Sequence, residues 1–320
     1  MSKRAIISGI YGQDGLLLTE HLLKLNYKIF GIVNNLKQGF PELSGVQIIK
    51  ADISNSIDMK KVFELVNPDE FYHLAANHHS SEFNSKELVW SDMLRINFLA
   101  TQNILDTLLE ITPTCRFLFA GSSQMYTATT HPTIIDELTP FKPSTYYGFT
   151  KVASAHLINF YRERKGLWGL TLILFNHESI LRRPEFLSRK VTISAAQHAL
   201  KIKPENSKLI LKDLSTHVDW SAASDFVRAM QLSLQNSTPK EYVLASGVSR
   251  SVGELVNTAY LAAGLNSNSY VFASESNLAP INPYLVGNPS RAKNELGWKA
   301  EKSFNQLIFE MVNNDIQTLK

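Results

Sequence analysis

Along the first half of the chain, short apolar runs alternate with longer stretches of mixed polarity. The apolar runs, at residues 5–8, 27–33, 46–52, 71–76, 116–120 and 171–175, have the length of buried strands. The stretches at 16–25, 88–109 and 147–164 read as helices. Strand and helix in alternation predict a parallel sheet with helices on both faces, the α/β doubly wound arrangement. After Phe175 the order changes. A basic loop at 182–190 runs into a helix at 191–200, strands follow at 208–214 and 241–245, and Asp225-Phe226 leads a helix to Leu234. Ser251-Val252-Gly253-Glu254 has the form of a capped helix start, and the last helix spans 304–319.

The sharpest local signal lies where the first strand ends. Gly9-Ile10-Tyr11-Gly12-Gln13-Asp14-Gly15 separates strand 5–8 from helix 16–25. Glycines at 9, 12 and 15 give a tight turn, close approach of backbone to a pyrophosphate and close helix packing, with the helix N-terminus facing the phosphates. The turn predicts a Rossmann-type NAD(P)-binding domain over 1–176, with a return segment near 219–247, and a smaller α/β substrate-binding domain formed mainly by 177–320. At the end of the second strand an acidic residue would bind the ribose hydroxyls and a basic one a 2′-phosphate. The chain has Asn34-Asn35 there, with Lys37 beyond, so neither preference is written. Asp52 and Ile53 are placed to touch the adenine, and Leu74, Ala75 and Ala76 let a cofactor lie against backbone. In Asn77-His78-His79 the adjacent histidines point opposite ways, and no metal site is expected. Asn97, in the middle of a helix, reads as a solvated side chain.

The chemistry gathers in residues 121–151. A strand end opens into Gly121-Ser122-Ser123-Gln124-Met125-Tyr126, and the segment closes on Tyr146-Tyr147-Gly148-Phe149-Thr150-Lys151. Tyr147 and Lys151, four residues apart, share one helix face. A phenol is a poor base at neutral pH, but a nearby ammonium favours the phenolate. A tyrosinate can then take a proton from a sugar hydroxyl as hydride leaves the same carbon. The arginines that open the loop after Phe175 suit phosphate clamping.

Composition narrows the class. At 320 residues, with 44% hydrophobic and 19% charged residues, the chain is long enough for two lobes in one compact body. A net charge of +3 is too small to argue for nucleic acid. One cysteine, Cys115, allows no intrachain disulfide and reads as a buried thiol. Met1-Ser2-Lys3-Arg4 runs straight into a strand, and no segment approaches a membrane span, so the expectation is a cytoplasmic enzyme without membrane or nucleic-acid partners.

Several stretches carry a resemblance along nearly the whole chain. They are the glycine turn, Asn176-His177-Glu178-Ser179 with Arg182 and Ser188-Arg189-Lys190, Asp219-Trp220, Asp225-Phe226, Leu285-Val286-Gly287-Asn288-Pro289-Ser290-Arg291-Ala292 and Leu296-Gly297-Trp298-Lys299. Together they resemble the extended short-chain dehydrogenases/reductases and, within them, the GDP-mannose 4,6-dehydratase family. The resemblance implies C4 oxidation by Tyr147 and Lys151, with Ser122 holding the 4-oxygen, then loss of water across C5 and C6 and return of hydride to C6. It implies NADP as cofactor, with His177 and Arg182 on the cofactor side. Asn176, Glu178, Ser188, Arg189 and Lys190 would bind the substrate, GDP-mannose or a related GDP-sugar, in a homodimer or homotetramer.

Departures from the pattern keep alternatives open. Gln124 stands where the family has a glutamate that serves the elimination, and a carboxamide cannot accept the proton. Glu82 or His79 could substitute. Asn34-Asn35 replace basic residues, which leaves NAD open; Val218 replaces another, and an arginine is missing around Leu278-Ala279-Pro280. A C4 oxidoreductase or epimerase without dehydration, and a catalytically drifted partner subunit, therefore stand beside the dehydratase reading.

Overall fold

The computed structural model describes residues 2–35, 41–78, 90–127, 133–204, 207–274 and 284–320. The first half runs β1 (Arg4–Ser8), α1 (Gln13–Lys24), β2 (Lys28–Val33), β3 (Val46–Lys50), α2 (Ser56–Val66), β4 (Glu70–His73), α3 (Trp90–Leu94), a π-helical turn (Arg95–Leu99), α4 (Ala100–Ile111), β5 (Arg116–Ala120), β6 (Thr133–Ile135), α5 (Tyr146–Lys165) and β7 (Gly169–Leu174). Then come β8 (Asn176–Glu178), α6 (Leu187–Ala199), β9 (Leu209–Leu211), β10 (His217–Ala222), α7 (Ala223–Gln235), β11 (Tyr242–Leu244), β12 (Ser249–Ser251), α8 (Val252–Ala262), β13 (Val271–Ala273), β14 (Leu285–Gly287), α9 (Ser290–Leu296) and α10 (Phe304–Leu319).

Seven strands form one sheet in the order β11-β7-β5-β4-β1-β2-β3, parallel throughout. The order reverses between β1 and β4, which opens a crevice at the carboxyl edge of the sheet. One face packs on α1 and α7 through Leu18, Leu22, Phe226 and Met230. The other packs on α2, α4 and α5 through Phe63, Leu105 and Ile158. A separate core, with Val191, Trp220, Tyr260 and Met311, holds α6, α8 and α10 together. Thus α7 and β11 return to the first lobe although they follow residue 176 in sequence.

Apart from β11 in the main sheet, the strands of three residues, β6, β8, β9 and β12 to β14, are too short to show a period, and they pair in small sheets. Two shifts of the expected boundaries bear on the site. β4 ends at His73, so residues 74–77 leave the sheet and run along the crevice. α6 starts at Leu187, which places Ser188, Arg189 and Lys190 in a helix and not in a loop.

A buried hydrogen-bond chain ties the switch point together. Ser8 Oγ lies 2.7 Å from His73 Nδ1, and His73 Nε2 lies 3.2 Å from Thr101 Oγ1. Thr101 donates to the Asn97 carbonyl, so its oxygen accepts from His73 Nε2–H, and Nδ1 accepts from Ser8. The imidazole is therefore neutral; burial, with the charge of Lys151, pushes its pKa down to about 3. The unfolded chain, with an imidazole near about 6.5, binds more protons between these values, so this contribution is full above about pH 6.5 and is lost as pH falls towards 3. A His73→Gln variant should lose less stability than the native chain between pH 7 and pH 4 in thermal melts; parallel pH slopes for the two would contradict this.

Candidate active site

The glycine turn is shaped by what lies under it. Gly9 has φ +78°, and a Cβ there would sit 2.8 Å from the Ala75 amide nitrogen, so only glycine lets the turn rest on the strand-end backbone. α1 starts immediately after Gly12 with its N-terminus facing the crevice. Its first turn is fastened to the loop after β7. Gln13 Nε2 donates to the His177 carbonyl at 3.0 Å, Ser179 Oγ donates to Gln13 Oε1 at 2.9 Å, and Asp14 Oδ2 meets His177 Nε2 at 2.9 Å. Burial works to raise the Asp14 pKa, but the charge and hydrogen bond of His177, then Gln13 and Arg182, bring it below the usual carboxylate value. Burial works the other way on His177, and Asp14 outweighs it and raises that pKa. The pair is thus an ion pair set into the turn.

Two cavities meet over this turn. One, of about 290 Å³, is lined by Ser122, Gln124, Tyr147, Lys151, His177 and Arg182. The other, of about 690 Å³, is lined by Asn34, Asn35, Asp52, Ile53, Ala75 and Arg95. They share the glycine turn at Gly9, Tyr11 and Gly12, the strand end at Leu74 and Ala76, and His78 with Arg183. The joined cavities run from the end of β2 past a helix N-terminus to β5, a lining that could hold an extended dinucleotide, with Asn34 and Asp52 at one end and Tyr147 at the other.

α5 carries the Tyr147/Lys151 pair and is seated against the end of β5. Thr145 Oγ1 accepts from the Gly148 amide at 3.0 Å and donates to Gln124 Oε1 at 3.2 Å. Gly148 is pressed on the Gln124 backbone so closely that a Cβ would lie 2.0 Å from the Gln124 carbonyl oxygen. Ser122 Oγ accepts from the Gln124 amide at 3.1 Å. Lys151 Nζ donates to the Ala120 carbonyl at 2.7 Å and lies 5.5 Å from the centre of the Tyr147 ring. Burial pushes the Lys151 pKa down to about 7. The expectation that the ammonium dominates the phenol is corrected here. Burial raises the Tyr147 pKa above its ordinary value, the charge of Arg182 works against this, and Asp14 adds to it. Ion-pair help at this phenol therefore comes first from a guanidinium across the cleft.

Residues 6–311 match the family described as GDP-mannose 4,6 dehydratase. The chain belongs to that family. It is similar to GDP-mannose 4,6 dehydratase 2 of Arabidopsis thaliana, 32% identical over 338 residues that cover 99% of this chain and 88% of the relative. It is also similar to the GDP-mannose 4,6-dehydratase of Vibrio cholerae, 30% identical over 99% of this chain and 95% of that one. In fold it resembles UDP-glucose 4-epimerase of Thermotoga maritima, with a TM-score of 0.83, 16% identity and coverage of 99% of this chain and 100% of that one.

Within this dehydratase-family cleft, several expected substrate residues are turned inward. Ser188 Oγ donates to Glu178 Oε2 at 2.6 Å, and Arg182 Nε lies 3.3 Å from the same oxygen. The Arg189 guanidinium pairs with Asp315 and donates to the Arg182 carbonyl at 3.1 Å. Glu178, Ser188 and Arg189 are buried and line neither cavity, because each charge or hydroxyl finds its partner inside the second lobe. They brace Arg182. Lys190 also lies outside both cavities, whereas Asn176 lines the smaller one. Asn97 is not solvated but 1% exposed, and its side chain bonds both the amide and the carbonyl of Asn77 at 2.7 and 3.1 Å. It sits in the π-helical turn, where one helix residue is bulged towards the loop after β4.

His78 and Phe186 also line the cleft, and the sequence reading missed them; Arg183, one of the arginines expected to clamp phosphate, lines it too. The His78 ring lies 4.3 Å from that of Tyr147 and stacks on Phe186 at 5.6 Å, and its backbone carbonyl accepts from Arg183 Nη2 at 3.1 Å. His78 itself was weighed only as a metal ligand, and no local pattern marks it as facing a tyrosine 69 positions on. Lys37, His79, Glu82 and Leu278-Ala279-Pro280 lie outside the described residues. Gly148→Ala should cost about 1–3 kcal/mol through overpacking and lower the melting temperature by roughly 2–10 °C, with a larger loss of turnover as Tyr147 is displaced. Calorimetry and initial rates check this; native values for both would refute the seating of α5.

Proposed function

We propose that the chain is an NAD(P)-dependent nucleotide-sugar 4,6-dehydratase of the GDP-mannose type. One observation carries the proposal: Tyr147, Lys151 and Ser122 are gathered at the carboxyl edge of the sheet, beside a glycine turn that fits a dinucleotide. A bound nicotinamide supplies the acceptor and later the donor of hydride. The chain supplies the rest. Tyr147 takes the proton of the sugar's 4-hydroxyl, Ser122 holds that oxygen, and Lys151, fixed on the Ala120 carbonyl, keeps the phenol in register. The resulting ketone acidifies C5 and prepares loss of the C6 hydroxyl.

Asn176 lines the smaller cavity where a substrate would lie, and the relatives' names support a GDP-sugar as substrate. The family's pattern favours NADP, while the neutral Asn34 and Asn35 also admit NAD. Exposed Phe149 and Phe160, eleven positions apart on one face of α5, together with Leu99, support a homodimer or homotetramer. The buried free thiol of Cys115 suits the cytoplasm.

Gln124 favours a second reading, C4 oxidation or epimerisation without loss of water, because its carboxamide offers no base. Incubation with GDP-mannose and either cofactor decides between them. The expected product is a 4-keto-6-deoxy sugar nucleotide, lighter by one water in mass spectrometry, and Tyr147→Phe should slow its formation on the order of 10²- to 10⁴-fold. A 4-keto product that keeps its C6 hydroxyl would establish the second reading, and no turnover of any GDP-sugar would end both.

A further inference from the structure

Loss of water next to a ketone needs a group that takes up the C5 proton and gives one to the departing C6 hydroxyl. Among the described residues of the smaller cavity, few can do so. Tyr147 is engaged with the 4-oxygen, and Lys151 is tied to the Ala120 carbonyl. Asp14 and His177 hold each other at the glycine turn, and Arg182 and Arg183 are fixed cations. Two further titratable side chains line that wall, the Tyr11 phenol on the glycine turn and the imidazole of His78, and of these His78 stands against both Tyr147 and Gln124.

We infer that His78 is the proton carrier of the elimination, working beside Gln124, whose position a carboxylate would otherwise make basic. The inference rests on the dehydratase reading above. Its geometry is specific. C5 and C6 are one and two bonds from C4, so a base serving them stands within a sugar ring's width of the Tyr147 phenol. The His78 ring lies 4.3 Å from the Tyr147 ring. Its Nε2 lies 3.2 Å from Gln124 Nε2. The carboxamide orientation is set from the other side, since Thr145 donates to Gln124 Oε1. The Gln124 amide group therefore donates to His78 Nε2, which accepts and carries no proton. Gln124 holds the imidazole in the state that a base requires, and Asn97 holds the loop by gripping the neighbouring Asn77 backbone.

The step balances. His78 Nε2 gives up its hydrogen bond from Gln124 and takes the C5 proton, the C5–H electron pair forms the C5=C6 bond, and the C6–O bond breaks. The imidazolium gives its proton to the leaving hydroxide, which departs as water. When hydride returns to C6, C5 regains a proton from the Tyr147 phenol, which took it from the 4-hydroxyl at the start. Both residues finish as they began.

The test compares the native chain, His78→Asn and the double variant His78→Asn/Gln124→Glu, with GDP-mannose and NADP in deuterated water. Mass spectrometry reads water loss and deuterium at C5, and absorbance reads reduced cofactor. His78→Asn should lower elimination on the order of 10²- to 10⁴-fold, with a far smaller fall in reduced-cofactor formation. It should also erase one limb of the pH–rate profile of elimination. A carboxylate restored at position 124 should recover at least about tenfold of the loss, since it stands where the imidazole reaches. Native-like elimination in His78→Asn, or equal falls in both steps without recovery, would overturn the inference while leaving the dehydratase reading intact. A native chain that oxidises C4 yet never exchanges C5 would overturn both.

Discussion

The burial of Lys151 at the end of β5 is the constraint on which the cleft is built. An ammonium that is 1% exposed has lost its water, and the Ala120 carbonyl at 2.7 Å replaces part of that solvation. This bond, with Gly148 lying against the Gln124 carbonyl, fixes the height and rotation of α5 on the sheet. Tyr147, Thr145 and, through Thr145, the Gln124 carboxamide take their places from it. Burial also lowers the charge-holding capacity of Lys151 towards neutral pH, so the pair works as a positional device first and an electrostatic one second.

The second support comes from the opposite lobe. Arg182 is stacked 3.7 Å over the Phe186 ring and held by Glu178, which is held in turn by Ser188. Arg189 closes the set by binding the Arg182 carbonyl from a helix anchored on Asp315. A row of residues that reads in sequence as a phosphate clamp thus divides its labour: one guanidinium reaches the cleft, and its neighbours hold it there. Glu178 and Arg189, the buried charges of this set, each stand against such a partner.

What could be read beforehand was local. The glycine turn and the Tyr147/Lys151 spacing are set by the geometry of one turn and one helix, and both appear where the periodicity put them. The inward turn of Arg189 could not be read, because its partner Asp315 is 126 positions away and a basic residue beside a cleft looks the same in sequence whichever way it points. Asn97 and His78 were missed for a similar reason. A polar residue in a helix is ordinarily solvated, and only the π-helical bulge and the shortened β4 bring these two to the crevice.

The bridges between the lobes bear on how long a guest stays. Gln13 and Asp14 are stitched to His177 and Ser179 on one side of the channel, and Arg183 reaches the His78 carbonyl where the two cavities join. A dinucleotide held in this channel would have these links across it, so that its release would require the two lobes to part there as well as its own contacts to break.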